Sequence, residues 1–115
     1  MAKTDEFACL HSTDRGRILY CPEFRRVVVD FKGLYLVFRV WEFERVQRHF
    51  SGMVSCPFSK ARLKSGEELH VRDAAGPNSL VLDLAELEDL VELMEAASLK
   101  LAEESRTEAA GAVLG

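Results

Sequence analysis

The stretch R-V-W-E-F-E-R-V-Q-R-H-F, Arg39 to Phe50, is echoed 44 residues later by D-L-A-E-L-E-D-L-V-E-L-M, Asp83 to Met94. Glu42 falls on Glu86 and Glu44 on Glu88. The apolar set Val40, Phe43, Val46, Phe50 falls on Leu84, Leu87, Leu90, Met94. The same offset carries Val27, Leu36 and Phe38 onto Val71, Leu80 and Leu82 without a gap. Apolar spacings of three and four mark one face of a helix, so each stretch predicts a helix, and the echo predicts two copies of one unit.

Ahead of the first helix the period is two. Val27, Val29 and Phe31 share a face, Lys32-Gly33 turns, and Leu34, Leu36, Phe38 and Val40 return on that face. A two-residue turn with glycine second is a hairpin signal, and it sets Phe31 opposite Leu34, Val29 opposite Leu36 and Val27 opposite Phe38. Ser51-Gly52 ends the short first helix, and S-C-P-F-S-K-A-R-L-K-S-G connects without periodicity. Leu69, Val71, Leu80, Leu82 and Leu84 then form the second inward face around a turn at Ala75–Asn78. The second helix runs to about Glu104, and a small-residue tail frays beyond it.

One hairpin and one helix cannot bury an apolar face alone. The expected fold is therefore α+β: two β-β-α repeats forming a two-layer sandwich, with a four-stranded, mainly antiparallel sheet and two helices on one face. The expected organisation is an N-terminal arm over 1–24, a duplicated domain over 25–104 and a flexible tail over 105–115. Within the domain, repeat one spans 25–52, a linker 53–66 and repeat two 67–104.

The chain has 115 residues, 48% of them hydrophobic and 30% charged, enough for one domain with a core. No apolar run reaches the ~20 residues that cross a bilayer, and the N-terminus lacks a secretory signal's apolar segment. Three cysteines, an odd number, suit a reducing compartment. Cytoplasmic location and no membrane partner are the expectation. The net charge of −4 is divided unevenly: residues 1–64 hold twelve Lys and Arg against seven Asp and Glu, and residues 65–115 hold three against twelve. Attraction between the halves, within the fold or across a dimer, is the expected use. A chain of pI near 5.4 disfavours nucleic acid as a partner.

Two places hold candidate functional residues. The sheet face away from the helices should show Arg26, Val28, Tyr35, Val37, Arg39 and Val81, an apolar patch rimmed by charge. Arg26 would lie across from Arg39, which calls for an acid or anion nearby. Asp30 or Glu23 could neutralise the pair, and the N-terminal arm could cover the face. The second place is Cys9-x-His11 followed by Cys21, ligand types that suit zinc, with a fourth ligand missing. Cysteines with His11, His49 or His70 also supply the residue types of a thiol nucleophile. Trp41 is expected to cap the core, and the Glu42/Glu44 and Glu86/Glu88 pairs to serve the helix dipole. No phosphate-binding glycine loop, metalloprotease helix or nucleophile elbow occurs.

G-R-I-L-Y-C-P-E-F, V-W-E-F-E-R-V and V-L-D-L-A-E-L-E-D-L-V-E-L-M together resemble an uncharacterised family of small bacterial proteins of unknown function, over about residues 9–100. The resemblance implies an arm with Cys-x-His and then Cys-x-x-Cys. Cys9, His11 and Cys21 match, whereas Phe24 stands where the last cysteine would be. No activity comes with the resemblance. The sequence therefore points to a non-enzymatic interaction or homodimerisation module with no required cofactor. The alternatives are a small zinc-binding protein and a thiol-dependent enzyme.

Overall fold

The computed structural model describes residues 7–72 and 79–114, with side chains through Glu104. It is α+β, with six strands and three helices among those residues. β1 (Ala8–Ser12), β2 (Gly16–Cys21), β3 (Arg26–Phe31) and β4 (Leu34–Arg39) form an antiparallel sheet in that order. α1 (Val40–Ser55) and α2 (Pro57–Lys64) follow. β5 (Leu69–Arg72) and β6 (Ser79–Leu82) then make a separate two-stranded sheet, and α3 (Leu84–Leu114) ends the described chain.

The β3–β4 hairpin has the expected register: Phe31 faces Leu34, Val29 faces Leu36 and Val27 faces Phe38. Lys32 and Gly33 both adopt left-handed backbone, φ 55° and 79°, as this turn requires. Lysine is an uncommon choice there, and its side chain gives the reason. Lys32 Nζ reaches the Val81 carbonyl at 2.9 Å and Glu86 Oε2 at 2.8 Å, fastening the turn to β6 and to the start of α3.

The four strands are not the four expected. The stretch read as an arm supplies β1 and β2, and β2 takes the edge of β3 that a second hairpin would have needed. The second hairpin therefore folds as its own sheet, with Val71, Leu80 and Leu82 buried in the common core. Its Ala75–Asn78 turn lies outside the described residues. Gly16 opens β2 because a Cβ there would stand 2.5 Å from the Asp30 carbonyl oxygen.

Two helix limits also differ from expectation. α1 continues through Gly52 to Ser55, and the supposed linker contains α2, started by Pro57, a residue favoured at the first helical position. α3 runs on to Leu114, past the expected end near Glu104.

Leu10, Ile18, Tyr20, Val29 and Leu36 point from one sheet face into a core closed by Phe43 and Phe50 of α1 and Leu87, Leu90, Leu93, Met94 and Leu101 of α3. α3 lies against β1 and β2, α1 against β3 and β4, and the two helices pack on each other. The charge division is spent partly inside the fold, since Arg15 pairs with Asp89 at 3.0 Å and Lys32 with Glu86.

The Glu42 and Glu86 carboxylates do the same local task. Glu42 Oε1 accepts from the Arg39 N–H at 2.8 Å, and Glu86 Oε1 from the Asp83 N–H at 3.0 Å. Only α3 closes the box, because Asp83 Oδ1 accepts in return from the Glu86 N–H at 2.9 Å. Arg39 has no acceptor to offer.

Candidate interaction surface

Alternation along the four strands sends every second side chain away from the helices, and the register aligns those side chains in rows across the sheet. Cys9 lies opposite Leu19, Leu19 opposite Val28, and Val28 opposite Val37. This apolar row is half-buried except for Cys9, which is exposed. On one side lies the row Arg17, Asp30, Tyr35, and on the other Arg26 opposite Arg39.

The flanking rows differ electrostatically. Arg17 Nε donates to Asp30 Oδ2 at 3.0 Å, and Asp30 first, then the Tyr35 hydroxyl, raise the guanidinium above its ordinary pKa. Asp30 therefore serves Arg17 and not Arg26 or Arg39. Arg26 instead turns back along its strand, donating from Nη1 to the Phe24 carbonyl at 2.8 Å. Arg39 has no acidic partner among the described residues, and Tyr35 is 53% exposed. The described part of the N-terminal segment extends the sheet sideways as β1 and β2 rather than lying over this face.

Of the expected surface residues, the structure brings Arg26, Val28, Tyr35, Val37 and Arg39 onto one face. Val81 stands apart, on β6 in the smaller sheet. Sequence reasoning missed Leu19, Cys9 and Arg17. The signal was present in G-R-I-L-Y-C, but an apolar residue on each face of β2 hides the alternation.

The Cys9, His11 and Cys21 arrangement is altered by a bulge. The register shifts between Cys9 and His11, so Cys9 faces Leu19 while His11 faces Ile18, a buried inward residue. The two ligand types of Cys-x-His are thus paired to opposite faces, and Cys21 is buried. Among the described residues, no group of three or more His, Cys, Asp and Glu side chains could hold a metal ion.

Cys56 falls in the stretch expected to connect without periodicity. It is the residue before α2, where hydrogen bonds from the Ser59 N–H and hydroxyl and the Phe58 N–H lower its thiol pKa. Its hydrogen-bonding partners there are Ser59 and Phe58 rather than a histidine. Trp41 also departs from expectation: it is 53% exposed and lines a shallow depression with Phe38, Glu42, Arg45, Val46 and Arg72.

Compared with known proteins, the chain matches no family model, no curated protein sequence and no solved structure. No helix among the described residues is long and apolar enough to cross a membrane.

Proposed function

We propose that the chain is a non-enzymatic interaction module that pairs with a second copy of itself through the outer face of the four-stranded sheet. The observation that carries this reading is the row Cys9, Leu19, Val28, Val37, which none of the described helices covers. A two-fold axis along that row would lay apolar row on apolar row, as in packed sheets. The same operation brings Arg26 of one copy over Asp30 of the other and Arg39 over Tyr35, so each arginine would meet an oxygen acceptor in a row whose own Arg17 already neutralises Asp30. The matching capping carboxylates and equivalent buried positions of β3-β4-α1 and β5-β6-α3 support a duplicated unit.

Charge reversal at Arg39 tests the pairing. Arg39→Glu, over the partner's Tyr35 and one strand from its Asp30, replaces an attraction with a like charge and should shift the sedimentation profile toward monomer. A profile identical to the parent's at every concentration would remove this surface from the account.

A further inference from the structure

We propose that the exposed stripe of α1, together with Arg72 of β5, is a binding site for single-stranded nucleic acid. Trp41, Arg45 and Arg48 are four and three residues apart, so they lie along one side of the helix, over a run of roughly 10 Å. All three are exposed. Arg72 reaches the same depression from β5, beside Trp41 and Arg45.

Some cations of the described residues are held by acids, while those of this stripe, like Arg26 and Arg39 of the sheet face, are not. Arg15, Arg17, Lys32 and Arg62 each hold an acid at 3.0 Å or less. Arg45, Arg48 and Arg72 hold none among the described residues. The acid in the depression, Glu42, already accepts the Arg39 N–H at 2.8 Å. Three guanidiniums that hold no acid among the described residues, in a chain whose acids outnumber its bases, form a local anion site that net charge conceals.

The exposed indole narrows the choice among anions. A tryptophan face beside arginines suits a ligand that alternates planar rings with phosphates, with a base stacked on the ring and the guanidiniums on the backbone. Single strands present free base faces, whereas a duplex has its bases already stacked. This site lies on α1 and is separate from the sheet face proposed for self-association.

Trp41 is the only tryptophan, so its fluorescence reports on the site directly. The full chain is titrated with a short oligothymidylate at about 50 mM salt, and the titration is repeated at rising salt. The expected result is quenching whose affinity falls with salt at a log–log slope near −2, from about three phosphate contacts. Arg45→Glu with Arg48→Glu, at exposed helix positions and checked for unchanged circular dichroism, should weaken binding at least tenfold. A labelled strand read by anisotropy should lose affinity on Trp41→Ala by roughly five- to tenfold, the loss of one stacked base. No quenching at low salt would overturn the proposal. Equal or tighter binding of polyglutamate, or of duplex, would overturn it as well, the former by assigning the stripe to an acidic protein segment.

Discussion

Removing the Glu86 carboxylate should loosen the junction between the halves of the chain by an amount the local geometry sets. Glu86 does two things at once. One oxygen accepts the Asp83 N–H at 3.0 Å, closing the start of α3, and the other takes Lys32 Nζ at 2.8 Å. Loss of such a cap costs about 0.5–2 kcal/mol. A partly exposed ion pair adds roughly 0.3–1 kcal/mol, and the Lys32 side chain is 39% exposed, which places it toward the lower end. Glu86→Ala should therefore lose about 1.5 kcal/mol, near 5 °C in Tm for a domain of this size.

Glu42→Ala is the internal comparison, since Glu42 makes the equivalent backbone bond without a lysine, and its loss should be smaller. Lys32 and the Asp83 N–H hold the Glu86 carboxyl below the ordinary glutamate value of 4.5. Because the folded pKa is the lower one, this stabilisation is present above the unfolded value and fades as pH falls through the folded one. Urea melts at neutral pH and again at about pH 3 should show the difference between parent and Glu86→Gln shrinking. If Glu86→Ala and Glu42→Ala unfold together with the parent, the capping argument is wrong.

Gly16→Ala forces a Cβ to within 2.5 Å of the Asp30 carbonyl oxygen and 2.9 Å of Phe31 Cδ1, so chemical denaturation should show a loss of roughly 1–3 kcal/mol. A parent-like midpoint would mean that β2 and β3 do not approach so closely. Hydrogen bonds from Ser59 and Phe58 lower the Cys56 pKa, so its thiolate persists at lower pH than that of an unstructured cysteine. Iodoacetamide labelling mapped by mass spectrometry should show the Cys56 rate falling off at a lower pH than that of a short cysteine peptide. Matching profiles would remove the effect assigned to the α2 start.

The β3–β4 hairpin was legible to the residue because alternation and the Lys32-Gly33 turn act within a few positions. The existence and starts of α1 and α3 were legible from their apolar stripes, but their ends were not, since α1 runs past Gly52 and α3 past Glu104. The assignment of strands to sheets was not, since the echo between repeats says nothing about which edge each hairpin occupies. β1 was hidden by the bulge between Cys9 and His11, and β2 by Leu19, which makes its outer face apolar where a solvated face would be polar. That same leucine completes the candidate surface, so one residue concealed both a strand and a site. Trp41 was misjudged because its position, a strand-to-helix junction, does not reveal on which side of α1 the ring emerges. The grouping of Arg72 with Arg45 depends on where β5 packs, which no local pattern encodes.

Sedimentation equilibrium of the parent and of Val37→Lys, at matched concentrations, tests the central claim most directly. Val37 is at the end of the apolar row, and a lysine there removes about 1–1.5 kcal/mol of burial from each of two copies, some hundredfold in dimer affinity. The account predicts twice the 12.9 kDa chain mass for the parent and a shift toward the single mass for the variant. A parent that stays at the single mass, or a variant as dimeric as the parent, would contradict it.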